Sequence, residues 1–148
     1  MPPTKLRAFF DTNVIFSGLY SSRGIPGVLL RRAINGDFNI VISQQVLEEL
    51  VRTIKVKLPT ILPDLRAFLT NLPLEVVPDP SPESLKLWTI EINPADAAVL
   101  AAAIAAGPDY FITGDNHFLS NHRIMERSGF IVLTPAQFLE VLDGLFEA

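Results

Sequence analysis

The sequence predicts an α/β protein, a three-layer α/β/α sandwich around a parallel sheet of about five strands. Three observations lead there. Short runs rich in aromatic and β-branched residues, such as Ala8-Phe9-Phe10 and Ile40-Val41-Ile42, recur along the chain. Longer segments with apolar residues at helical spacing separate them. Two of the runs also end close to an acid: Phe10 leads straight into Asp11, and Tyr110-Phe111-Ile112-Thr113-Gly114 into Asp115. In an open parallel sheet, ligands sit beyond the carboxyl ends of the strands where the strand order reverses. Asp11 and Asp115 are therefore candidates for one shared pocket.

Taken in order, Arg7 to Phe10 reads as a buried strand, followed from Thr12 by a turn and a helix bearing Val14, Ile15, Gly18 and Leu19. Ser21 to Gly24 is a loop, and Pro26 starts a second helix that Asn35-Gly36 stops. Phe38 to Ile42 is the second strand. Ser43 then caps a helix whose apolar face is Val46, Leu47, Leu50, Val51 and Ile54. A further helix lies within Leu58 to Leu72 and begins near Pro63, and Leu74 to Val77 is a short strand. Pro78, Pro80 and Pro82 stiffen a connection too short to separate domains, and Pro82 to Thr89 is a short helix. Asn93-Pro94-Ala95-Asp96 is a strong helix start, and the alanine-rich segment behind it runs to Ala106 with Gly107 as its stop. Asp109 to Thr113 is the fourth strand, a short helical stretch is expected around Arg123 to Arg127, and Phe130 to Leu133 is the last strand. Thr134-Pro135-Ala136-Gln137 is a capping box for a closing helix.

At 148 residues, 49% of them hydrophobic, the chain is expected to form a single domain, 1–148, with a proper core. It has no apolar run of the length a membrane helix needs and no cysteine, and the short stretch before the first strand leads us to expect no signal peptide. The cytoplasm is the expected compartment. A net charge of −4 argues against a simple phosphate-binding surface, which is usually basic. Setting four site carboxylates aside would leave the remaining surface neutral, so charge does not decide the partner.

Each acid taken alone has an ordinary explanation. Asp11 can cap a helix, Asp115 can sit in a Gly-Asp turn, and Asp96 suits the third position of a helix. Glu48 and Glu49 both flank the apolar face of their helix, and periodicity does not say which points inward. As a set they say more. Convergent carboxylates repel one another unless a divalent cation compensates them, and hard oxygen ligands suit Mg²⁺ or Mn²⁺. Such a cation acidifies water and stabilises charge on a phosphoryl oxygen.

Four segments resemble the PIN-domain family: Phe10-Asp11-Thr12-Asn13-Val14, Ser43 to Leu50, Asp96 to Ala103, and Asp109 to Asp115. The resemblance spans about Leu6 to Leu142 and is closest to toxins of toxin–antitoxin pairs, the VapC-type ribonucleases. Gly24-Ile25-Pro26 and the closing Leu133 to Phe138 are similar to features of that branch. The resemblance implies a sheet in the order 3-2-1-4-5 and an acidic metal site at Asp11, Glu49, Asp96 and Asp115, with Asn13 and Thr113 in support. Glu49 is preferred to Glu48 on this match alone. It further implies a Mg²⁺- or Mn²⁺-dependent endoribonuclease, an RNA substrate, a cognate antitoxin and a homodimer.

Other residues are weaker candidates. Asp109 lies about 20 Å from Asp115 along an extended strand and reads as structural. His117 could donate a proton, but a surface histidine is the simpler reading. Arg52, Lys55 and Lys57 could meet phosphates or simply face solvent. Two rival functions stand beside the nuclease. A haloacid-dehalogenase-type phosphatase needs a second Asp where this chain has Asn13. The other is a catalytically silent PIN fold that binds RNA or protein. Apolar residues beyond what one sheet covers, Trp88 and the set from Phe10 to Phe146 among them, suggest self-association.

Overall fold

The computed structural model describes residues 5–146, apart from 73, 90–92, 122–125, 127 and 130. The strands are β1 (Arg7–Phe10), β2 (Asn39–Ser43), β3 (Glu75–Val77), β4 (Tyr110–Ile112) and β5 (Ile131–Leu133). The helices are α1 (Thr12–Tyr20), α2 (Ile25–Ile34), α3 (Gln44–Lys57), α4 (Leu62–Asn71), α5 (Pro82–Thr89), α6 (Pro94–Ala106), α7 (Asn116–Leu119) and α8 (Pro135–Phe146), with a 3₁₀ turn over Pro59–Ile61. All strand pairs are parallel and the order is β3-β2-β1-β4-β5, with the helices around the sheet. This is the predicted α/β architecture in the predicted order.

The apolar runs become strands because both sides of the sheet are covered. Ala8, Phe9 and Phe10 of the central strand are fully buried, as are Ile40, Val41 and Ile42 beside them. Phe9 stacks on Phe111 of β4 at 5.4 Å between ring centroids, tying the two halves of the sheet together. Local signals set the helix ends. The Ser43 hydroxyl accepts from the Val46 N–H at 3.2 Å, and Thr134 and Gln137 satisfy each other's N–H groups at 2.9 and 3.1 Å. Gly107 ends α6 in the left-handed region at φ 63°, where a side chain would be strained.

Two packing outcomes differ from the sequence reading. Trp88 is not surplus surface: it is 4% exposed, on the helix α5 that packs against the small-residue helix α6. Phe10 and Phe138 are likewise core, whereas Phe146 and its neighbour Leu145 are exposed. A helix also forms earlier than expected, at Asn116–Leu119, pinned by buried Phe118 against Phe111. The stretch expected near Arg123 to Arg127 lies largely outside the described residues. Among the described residues no helix is long and apolar enough to cross a membrane.

Candidate active site

The chain leaves β1 for β2 and β3 on one side and returns through β4 and β5 on the other, so β1 and β4 flank the reversal point. Their carboxyl ends are in register: Phe10 pairs with Ile112, and the Asp11 N–H continues the ladder to the Ile112 carbonyl at 3.1 Å. Residues that leave these two ends are therefore neighbours by construction.

Asp11 has two roles at once. It caps α1, with Oδ1 accepting from the Thr12 N–H at 2.9 Å. Its Oδ2 accepts from the hydroxyl of Thr113 at 2.9 Å. Thr113 is fully buried, and the same hydroxyl oxygen accepts from the Asp115 N–H at 3.0 Å. One threonine thus fixes both the direction of the Asp11 carboxylate and the turn that presents Asp115. Asp115 in turn caps α7, accepting from the His117 N–H at 2.9 Å.

Glu49 reaches this place from α3. Its Oε2 accepts from the hydroxyl of buried Thr12 at 3.2 Å, and its charge acts on Asp11. Glu48 instead accepts from Gln44 on its own helix at 3.3 Å. Asp96 enters from the first turn of α6, held reciprocally by Asn93: Asn93 Oδ1 accepts from the Asp96 N–H at 2.9 Å, and Asn93 Nδ2 donates to Asp96 Oδ2 at 2.7 Å. Asp96 Oδ2 and Asp115 Oδ1 each lie 3.6 Å from His117 Nδ1. The structure therefore draws Asp11, Glu49, Asp96 and Asp115 to one end of the sheet, with Thr113 between two of them. Asn13 is exposed on α1.

The electrostatics follow from the geometry. Burial pushes the Asp11 carboxyl above its ordinary value. Donation from the Thr113 hydroxyl and the Thr12 amide pulls it back, and the charges of Glu49 and Asp115 push it up again. An opening of about 400 Å³ lies alongside, lined by Gln45, Glu48, Glu49, Arg52 and Ala95, so a larger molecule has room next to the acids. Asp109 stands at the other end of β4, where its Oδ2 accepts from the Arg7 N–H at 2.9 Å; it belongs to the scaffold.

Two residues matter more here than their sequence positions suggest. Thr12 gave no signal beyond its place after Asp11, because a hydroxyl's partner across the fold is invisible locally. His117 did carry a signal, its short spacing from Asp115, but only the α7 turn aims its ring at Asp96 as well. The ligand atoms of Asp96, Asp115 and His117 lie within 4.8 Å of one another, and that donor set, two carboxylate oxygens and an imidazole nitrogen, fits a divalent cation.

The sequence model of the PIN domain matches residues 7–117, a span that begins with β1 and contains all four acids. The chain belongs to the PIN-domain family. Among solved structures, this PIN domain is similar to VapBC2 from Rickettsia felis, bound to a DNA fragment from their promoter. The TM-score is 0.63 at 18% identity, covering 87% of this chain and 98% of that one. It is similar as well to PAE2754 from Pyrobaculum aerophilum, with a TM-score of 0.61 at 11% identity, covering 95% and 99%. At these identities the likeness is one of fold. No curated protein matches the chain.

Proposed function

We propose that this PIN domain is a Mg²⁺- or Mn²⁺-dependent endoribonuclease that serves as the toxin of a toxin–antitoxin pair in the cytoplasm. The carrying observation is the convergence of Asp11, Glu49, Asp96 and Asp115, from four separate elements, on the reversal point of the sheet. A bound divalent ion would supply Lewis-acid stabilisation of phosphoryl charge and acidify water. Asp96 and Asp115 would hold it, with Asp11 and Glu49 completing the anionic set.

The rest is the work of the chain itself. Thr113 aims Asp11, Asn93 aims Asp96, and Thr12 aims Glu49, so the carboxylates are positioned before substrate arrives. Half-buried Asp11, aimed by the Thr113 hydroxyl, is the carboxylate that would take a proton from an attacking water. The opening beside Glu49 gives the RNA backbone a place to lie, with Arg52 within reach of a phosphate. An antitoxin that covers this groove would silence the enzyme; the fold likeness to VapBC2 supports that partner. Exposed Tyr20, Leu145 and Phe146 are apolar surface for self-association as a homodimer.

The test is cleavage of an end-labelled model RNA by purified protein with Mg²⁺ or Mn²⁺, with chelator, and with Asp96→Asn. The expected result is metal-dependent internal cleavage lost by at least about a hundredfold in the variant, the scale on which removal of catalytic groups acts. Intact RNA with either ion would favour the silent binding module, and full activity in Asp96→Asn would refute the site.

A further inference from the structure

We infer that His117 is itself a metal ligand of this site, its Nδ1 standing beside one oxygen each of Asp96 and Asp115, and that this nitrogen shifts the site's preference from Mg²⁺ toward a first-row transition ion such as Mn²⁺. The inference rests on the metal-dependent reading above and names the ligand that sets the metal.

The geometry is that of a nitrogen aimed at two acids and bonded to neither. Nδ1 lies 3.6 Å from Asp96 Oδ2 and 3.6 Å from Asp115 Oδ1, too far for a hydrogen bond to either. Two ligands at right angles, each about 2.1 Å from one ion, stand about 3 Å apart. Closing each 3.6 Å gap by about 0.6 Å would therefore seat Nδ1 and either carboxylate on one ion, and all three ligand atoms already lie within 4.8 Å of one another. Each base is already fixed. Asp96 is held by Asn93, and Asp115 accepts from the His117 backbone N–H. His117 rides on α7, whose Phe118 is 2% exposed and packs on Phe111 at 5.0 Å. The ring itself is open to solvent, its side chain 74% exposed, so burial does not account for where it points.

The chemistry sets the preference. A neutral imidazole with its proton on Nε2 presents the Nδ1 lone pair. Mg²⁺ keeps oxygen ligands and water, whereas nitrogen donors strengthen binding of first-row transition ions. Replacing one oxygen position by His117 Nδ1 leaves Mg²⁺ affinity little changed and raises that of Mn²⁺.

The experiment is an electron paramagnetic resonance titration of the full chain with Mn²⁺, with Mg²⁺ affinity read by displacement, on wild type, His117→Ala, His117→Gln and Asp115→Asn. Expected is a loss of Mn²⁺ affinity of about tenfold in both His117 variants, with Mg²⁺ changed by less than about twofold. Nitrogen modulation of the Mn²⁺ echo should be present in wild type and lost in His117→Ala. Unchanged melting of the His117 variants separates ligand loss from misfolding. An unchanged Mn²⁺ to Mg²⁺ ratio in the His117 variants, with binding lost in Asp115→Asn, overturns this inference and leaves the nuclease reading standing. Tighter binding of both ions would overturn it too, showing an imidazolium paired with the acids. Failure of wild type to bind either ion would remove both readings.

Discussion

Thr113 is the hinge of the site's polar network, and replacing it by valine tests that network directly. The side chain is fully buried, its hydroxyl donates to Asp11 Oδ2 at 2.9 Å, and its oxygen accepts from the Asp115 N–H at 3.0 Å. Valine has nearly the same shape, so the change removes two hydrogen bonds and leaves the packing in place. A bond to a carboxylate is worth about 1.5–3 kcal/mol, and the deprived Asp115 N–H costs about 1 kcal/mol more. The added methyl returns about 0.8 kcal/mol. The net loss is about 2–3 kcal/mol, which in a domain of this size lowers Tm by about 5–10 °C. Thr113→Ser keeps both bonds and loses one methyl in a tight site, costing about 1 kcal/mol. Thermal melts of the metal-free protein should therefore rank wild type above Ser and Ser above Val. The hydroxyl favours ionised Asp11, so the valine deficit should be largest at neutral pH and shrink as acid protonates that carboxyl. A Thr113→Val protein as stable as wild type at pH 7, or one less deficient there than at pH 4, would refute the reasoning.

Two further outcomes follow from the same geometry. The folded pKa of Asp11 is raised, so protonation stabilises the apo protein: the gain is complete below the unfolded pKa and is gone above the folded one. In chelator, Asp11→Asn keeps the α1 cap through Oδ1, lets its amide donate to Thr113, and should melt above wild type at neutral pH, the two converging toward pH 4. Millimolar Mg²⁺ should raise the wild-type melt more than that of the variant, and a variant melting below wild type in chelator at pH 7 would contradict this account. Glu49→Gln retains an acceptor for the Thr12 hydroxyl, so its Tm should stay within about 2 °C of wild type while metal-dependent cleavage falls by at least about tenfold. Glu48→Gln, whose partner is Gln44 on the same helix, should keep cleavage within a few-fold; the opposite ranking on one model RNA would put the wrong glutamate in the site.

What the chain determined by itself is what short-range chemistry can specify. The strands were legible because a strand buried on both faces must be apolar throughout, as Ala8 to Phe10 and Ile40 to Ile42 are. The helix starts at Ser43, Asn93 and Thr134 were legible because a cap is closed within three residues, and the stop at Gly107 because φ there is positive. Asp11, Asp96 and Asp115 could be placed because each stands at a strand end or a helix start. The choices left to the tertiary structure all depend on partners distant in sequence. Glu48 and Glu49 are equivalent on their own helix, and it takes the Thr12 hydroxyl, brought over by α1, to distinguish them. Trp88 read as surplus apolar surface, and its burial accompanies the packing of α5 on α6. His117 faces Asp96 only because α6 and α7 both begin at the carboxyl end of the sheet, a juxtaposition that a hydrogen bond within one segment cannot encode and that strand order creates.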